Sequence, residues 1–261
     1  MNLDLTGKKA LVCGSTQGLG LASAIELALL GCSIVLFARN EELLKETLAT
    51  LDTTKKQQHS YLVADFTNTA AVKTTIEQFI ANQTIHILVN NTGGPAGGTI
   101  MEARETEFLS AFNNHLINNH NIVLAVVPGM KKAGFGRIVN IISTSVKAPL
   151  QGLGVSNTIR AAVANWAKTL ATELGGFGIT VNNVLPGFTQ TVRADYVIKN
   201  KAQKTGKTQE EVLKELVAEI PVGRIGQPEE FGAAVAFLCS PAAAYINGIN
   251  LPVDGGRLVC L

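Results

Sequence analysis

Residues 9–24 read KALVCGSTQGLGLASA, and the fold turns on how this stretch is read. An apolar run of strand length runs straight into three glycines, Gly14, Gly18 and Gly20, and a segment of helical period follows from Gly18 to about Leu30. Glycine permits the tight turn and lets the backbone come close to a pyrophosphate, whose charge then sits at a helix N-terminus. A glycine-rich turn chosen only for close helix–strand packing would look the same, so the rest of the chain has to decide between the two.

The alternation continues outward from this unit. SIVLFA (33–38) precedes NEELLKETLATL (40–51), and YLVAD (61–65) precedes TAAVKTTIEQFIAN (69–82). IHILVNN (85–91) leads to a long helix near 105–133, then GRIVNIIS (136–143) and a helix beginning near Ser156. ITVNNVLPG (179–187) and a last strand near 247–253 complete the series. Strands that are apolar throughout, each followed by a helix, predict an α/β fold: a doubly wound, Rossmann-like parallel sheet covered on both faces. No repeat or linker divides the chain, so residues 1–261 read as a single domain. Residues 188–220 interrupt the alternation. Thr208 and Glu211 in this segment fit a capping box with a short helix after it. An insertion beyond a strand's C-terminal end lies near the usual ligand crevice and reads as a lid over the substrate. GKT at 206–208 is no phosphate-binding P-loop, because Lys201 stands where its first glycine belongs.

Composition narrows the function classes. At 46% apolar and 16% charged residues the chain suits a well-buried globular protein and not a disordered one. A net charge of +2 without basic runs argues against nucleic acid as a partner. Cys13, Cys32, Cys239 and Cys260 show neither CxxC nor Cys/His spacing, so no metal site or disulfide framework is expected, and a reduced, cytoplasmic compartment follows. The start MNLDLTGKKALVCG has no basic segment followed by an apolar one, and no apolar run approaches the ~20 residues of a membrane span.

The second strand ends at Ala38–Arg39, where a site for NAD normally carries an acidic residue on the ribose 2′-hydroxyl. Arg39 can instead bind a 2′-phosphate through parallel charge-assisted bonds, which favours NADP(H) over NAD(H).

The glycine spacing is GxxxGxG. With VNNTGG (89–94), GRIVNIIS (136–143), VNNVLPGFTQT (181–191) and PVGRIGQPEEFGAAVAFLCSPAAAYINGINLPVDGG (221–256), the chain closely resembles the short-chain dehydrogenase/reductase family over almost its whole length. The resemblance implies that Gly14, Thr16, Gln17, Gly18 and Leu19 line the pyrophosphate and adenosine ribose. It places Asp65 on the adenine, Asn90 and Gly93 in support of the adenosine side, and Pro186, Gly187 and Thr191 at the nicotinamide carboxamide. Gln17 stands where many relatives that prefer NADP carry a basic residue.

The family's reaction centre is a serine at the end of the fifth strand, a Tyr-x-x-x-Lys on the next helix, and an asparagine on the preceding long helix. On this sequence these positions fall on Ser143, Ser156, Arg160 and His115, so three of the four differ. Neither a serine hydroxyl nor a guanidinium is a good acid near neutral pH, but both can donate hydrogen bonds to a developing alkoxide. Arg160 also has donors enough for the cofactor ribose. His115 shares a helical stripe with Phe108, Phe112 and Asn119, and reads either as a core histidine or as a proton relay titrating near neutrality. The pattern therefore predicts an oxidoreductase acting on a small carbonyl or alcohol, with a 3-oxoacyl substrate as one possibility. A catalytically silent NADP(H)-binding sensor or scaffold is the alternative. The resemblance further implies a homo-oligomer, a tetramer or dimer, built through the two long helices and the C-terminal strand region.

Overall fold

A computed structural model describes residues 1–260. In chain order the elements are β1 (Lys9–Cys13), α1 (Gly18–Leu29), β2 (Ser33–Ala38), α2 (Glu41–Thr50), β3 (Ser60–Val63) and α3 (Thr69–Ile80). Then come β4 (Ile87–Asn90), α4 (Glu105–Phe112), α5 (Asn118–Ala133), β5 (Gly136–Ile141), α6 (Gly154–Leu174) and β6 (Ile179–Pro186). The chain continues through α7 (Val192–Thr205), α8 (Gln209–Ala218) and α9 (Pro228–Cys239) to β7 (Asn250–Val253).

Apolar side chains on both faces of each strand force helices onto both sides of the sheet. In β1, Ala10 and Val12 pack with Leu27 of α1 and Val235 of α9, while Leu11 and Cys13 pack with Ile76 of α3 and Ile122 of α5. The seven strands lie in the order β3-β2-β1-β4-β5-β6-β7, every neighbouring pair parallel. The winding reverses between β1 and β4, and the crevice that reversal opens at the strands' C-terminal ends is where ligands bind in such sheets.

Four central positions are polar. Asn90, Asn140, Asn183 and Asn250 are in register across β4, β5, β6 and β7. Each amide donates to the next: Asn90 to Asn140 at 2.8 Å, Asn140 to Asn183 at 2.9 Å, and Asn183 to Asn250 at 2.8 Å. The chain of amides pairs buried polar groups that would be costly apart, save the Asn90 Oδ1 at its head, which has no partner among the described residues, and it pins the register of four strands.

Two elements depart from the sequence-based expectation. The helix predicted over 105–133 is broken by one wide π turn at Asn113–Ile117, which carries His115. The insertion at 188–220 holds two helices instead of one. Thr191 caps α7 by accepting from the Ala194 N–H, a cap that a segment rich in lysine and polar residues disguised. The Thr208–Glu211 capping box of α8 forms as expected, with bonds of 2.8 and 3.2 Å. Phe188, Ile198, Ala202, Val212, Leu213 and Leu216 give this segment a small core of its own.

Candidate active site

A cleft of about 630 Å³ opens at the C-terminal ends of the strands on either side of the reversal. Its first wall is the turn from β1 to α1. Gly14 adopts a left-handed φ of +58°, which other residues rarely accept. A Cβ on Gly20 would meet the Gly14 carbonyl oxygen at 2.2 Å, so only glycine lets α1 come this close to the turn. The Ser15 hydroxyl accepts from the Phe37 N–H at 3.0 Å and ties the turn to β2. The Asn91 amide donates to the Gly14 carbonyl at 3.1 Å and ties it to the end of β4. Gln17 caps α1 without a side-chain hydrogen bond, which leaves the N–H groups of the first turn for an anion. Gly14, Thr16, Gln17, Gly18 and Leu19 all line this wall.

At one end of the cleft stand Arg39 and Asp65. Arg39 is exposed, and among the described residues no carboxylate lies within ion-pair distance of it. Asp65 accepts from the Thr67 N–H at 2.9 Å; that bond, helped by the charge of Arg39, holds its carboxyl below the usual range. The cap of α3 is Asn68, which frees Asp65 from that duty.

At the other end are Gly93, Pro186, Gly187, Thr191 and Arg160. Arg160 belongs to the inward stripe of α6 with Ala164, Ala167 and Ala171, and it is only 8% exposed. Its Nη1 donates to the Ile141 carbonyl at 3.0 Å and its Nη2 points to the Thr92 carbonyl at 3.5 Å, so the guanidinium lies between the ends of β5 and β4. Burial lowers its pKa to about 10, which leaves it charged at neutral pH, and among the described residues no carboxylate lies within ion-pair distance of it.

Three readings need correction. Asn90 is 1% exposed and its amide belongs to the sheet ladder, so its side chain does not face the cleft; its neighbour Asn91 lines the cleft instead. Ser143 and Ser156 are off the cleft lining: the Ser143 hydroxyl caps the next turn by accepting from the Ser145 N–H at 3.0 Å, and Ser156 sits half-buried inside the first turn of α6. His115 does not titrate near neutrality. Burial, reinforced by the charge of Arg160, lowers its pKa to about 3, and its Nδ1 is hydrogen-bonded to the Thr92 hydroxyl.

Thr92, Asn114, Phe188 and Arg193 also line the cleft, and sequence reasoning missed them. Thr92 and Phe188 carried a signal, inside the VNNTGG and VNNVLPGFTQT motifs. Asn114 and Arg193 reach the cleft through a π turn and through α7, which no periodicity announced. Among the described residues no group of three His, Cys, Asp or Glu side chains could hold a metal, and no helix is long and apolar enough to cross a membrane.

The geometry is matched by known proteins. Residues 14–257 match the family described as enoyl-(acyl carrier protein) reductase. The chain is 34% identical to a 3-oxoacyl-(acyl-carrier-protein) reductase of Pseudomonas aeruginosa, across 97% of this chain and 98% of that one. It is 32% identical to a short-chain reductase, NovJ, of Streptomyces niveus, across 95% and 93% of the two chains. A crystal structure of L-sorbose reductase from Gluconobacter frateurii, complexed with NADPH and L-sorbose, superposes over 100% of both chains with a TM-score of 0.93 at 32% identity.

Proposed function

Because the chain belongs to the short-chain dehydrogenase/reductase family, we propose that it is an NADP(H)-dependent oxidoreductase that interconverts a carbonyl and a secondary alcohol, with Ser-x-x-x-Arg at its reaction centre. The observation that carries this reading is Arg160, a buried cation with no counter-ion among the described residues, held in the cleft between the ends of β4 and β5. The residues present fit an anionic dinucleotide. The uncapped N-terminus of α1 suits a diphosphate, the unpaired Arg39 suits a 2′-phosphate, and Arg160 faces the opposite end. The NADPH in the related sorbose reductase complex supports the same choice.

Bound NADP(H) would carry the hydride. The protein's part is to orient and to stabilise charge. Arg160 directs N–H donors at the oxygen on which charge develops, and a fixed donor of that kind contributes about 2.7–4 kcal/mol. That is comparable to the roughly 3–5 kcal/mol of a general acid, so exchanging the phenol for fixed donors leaves a workable centre. Water exchanges the proton. A neutral His115 is no proton source at pH 7 and serves in place. The substrate is a small carbonyl compound of the 3-oxoacyl type, which the similarity to reductases of that name supports. The glycine-rich loop at 93–98 and the lid of α7 and α8 select it.

A cofactor-binding protein without turnover is the second reading, favoured by one observation: no tyrosine lines the cleft. Tyr61 donates to Glu41 at 3.0 Å, Tyr196 is 55% exposed on the lid, and Tyr245 is fully exposed. Calorimetry with NADPH and NADH, followed by a panel of ketones read at the nicotinamide absorbance, separates the two. The oxidoreductase reading expects NADPH to bind more tightly than NADH and at least one ketone to be reduced, with turnover lost in Arg160→Met. Tight binding with no ketone or alcohol turned over supports the silent protein.

A further inference from the structure

Arg160 is not held by main chain alone. The residue whose carbonyl faces its Nη2 is Thr92, and the hydroxyl of that same residue is bonded to the Nδ1 of His115. His115 is 2% exposed and sits in the π turn Asn113–Ile117, where the helix widens by one residue. Such a turn displaces the side chains that follow it and is often found where function requires an unusual placement. Here it puts an imidazole from the long helix beside the loop after β4. The connection therefore runs from the π turn to His115, to the Thr92 side chain, to the Thr92 carbonyl and to the guanidinium.

The loop that carries Thr92 needs such an anchor. Gly93 and Gly94 follow directly and are exposed, and a Cβ on Gly94 would meet nothing but the Arg160 Nη2 at 3.8 Å within contact range. Two glycines leave the backbone at Thr92 free to rotate its carbonyl away from the guanidinium. A side-chain hydrogen bond to a buried ring removes that freedom. At 3.5 Å the Nη2 contact stands at the limit of a hydrogen bond, so even a small tilt of this carbonyl would release one side of the planar fork.

We infer that Thr92 and His115 are positioning residues that act as one unit to aim the Arg160 guanidinium at the nicotinamide end of the cleft. This rests on the reading of the cleft as an NADP(H) site. Thr92→Val keeps the shape of the side chain and removes the hydroxyl. His115→Phe keeps an aromatic ring and removes the ring nitrogen that bonds the Thr92 hydroxyl. Neither touches the β1–α1 turn or Arg39, so the adenosine half of the site is left alone.

The test compares two probes by calorimetry, NADPH and the fragment 2′,5′-ADP, which lacks the nicotinamide half. Thr92→Val is expected to weaken NADPH about tenfold and to leave 2′,5′-ADP within twofold, with Thr92→Ser restoring NADPH. The double variant is expected to be no worse than either single one, as for groups that act as a unit. Three results overturn the proposal: NADPH affinity unchanged in Thr92→Val, equal losses for both probes, or losses in the double variant that simply multiply. If the unaltered protein binds neither probe, the cofactor reading itself has failed, and the inference falls with it. A Tm measured on each variant identifies any that has failed to fold; the split between probes is then read on Thr92→Ser and Thr92→Val alone.

Discussion

Replacing Arg160 by methionine should make the cofactor-free protein more stable and a worse binder. Burial alone lowers the pKa of Arg160 from the ordinary arginine value to about 10. At about 1.4 kcal/mol per pH unit, its charged form costs roughly 3 kcal/mol in the folded protein. The folded state releases this proton before the unfolded chain does, so stability rises with pH only above about 10. At pH 7 the full cost is present. Against it stands the bond to the Ile141 carbonyl at 3.0 Å, of the kind that contributes about 1.5–3 kcal/mol; the contact with Thr92 at 3.5 Å is marginal. Methionine fills most of the same space with a flexible apolar chain. The net gain is roughly 1 kcal/mol, or a few degrees in Tm for a chain of this size. Calorimetry on the cofactor-free variant checks the first half. Titration with NADPH, expected to show a loss of tenfold or more, checks the second. A variant that melts lower than the parent yet binds NADPH equally well would refute the assignment of Arg160 as an unpaired cation kept for the ligand.

Other outcomes follow from the same geometry. Arg39→Gln should weaken NADPH at least tenfold and leave NADH nearly unchanged, since only the former carries a 2′-phosphate; equal effects on both in a binding titration would remove Arg39 from that role. With its pKa lowered from 6.5 to about 3, His115 takes up its proton more readily in the unfolded chain, so its contribution to stability is lost as pH falls through that window. Between pH 6 and 4 the parent should lose up to roughly 1.4 kcal/mol per pH unit on this account, and urea titrations on His115→Phe should show a shallower slope. Asn140→Val breaks two rungs of the amide ladder and should destabilise by about 2–4 kcal/mol, read as a lower urea midpoint; a neutral result would mean that the ladder contributes nothing. If the long helices join copies of the chain, Leu124→Glu should shift the mass seen by light scattering, because Leu124 is 60% exposed on α5.

The β1–α1 turn was legible because its constraints are local. Gly14, Gly18 and Gly20 encode a turn and a close approach within seven residues, and the structure places all three there. The parallel sheet was legible for a similar reason, since strands buried on both faces have few polar positions to spare. The asparagines were harder to read. Asn90 looked like part of a cofactor motif, but its role depends on Asn140, which lies fifty residues away in sequence and beside it in the sheet. His115 could be read from its stripe as a core histidine or as a titrating relay, and the 2% exposure found in the structure favours the first.

Thus strand period, glycine spacing and the absence of a Tyr-x-x-x-Lys could be read along the chain, and they sufficed for the fold and the family resemblance. Which polar residues meet was decided only by folding. Ser156 and Arg160 are one turn apart on the same helix, yet Arg160 enters the cleft and Ser156 does not line it. The reason is reach and desolvation. A long side chain carries its charge from the buried stripe of α6 to the carbonyls of Ile141 and Thr92, whereas a short hydroxyl stays where the helix puts it.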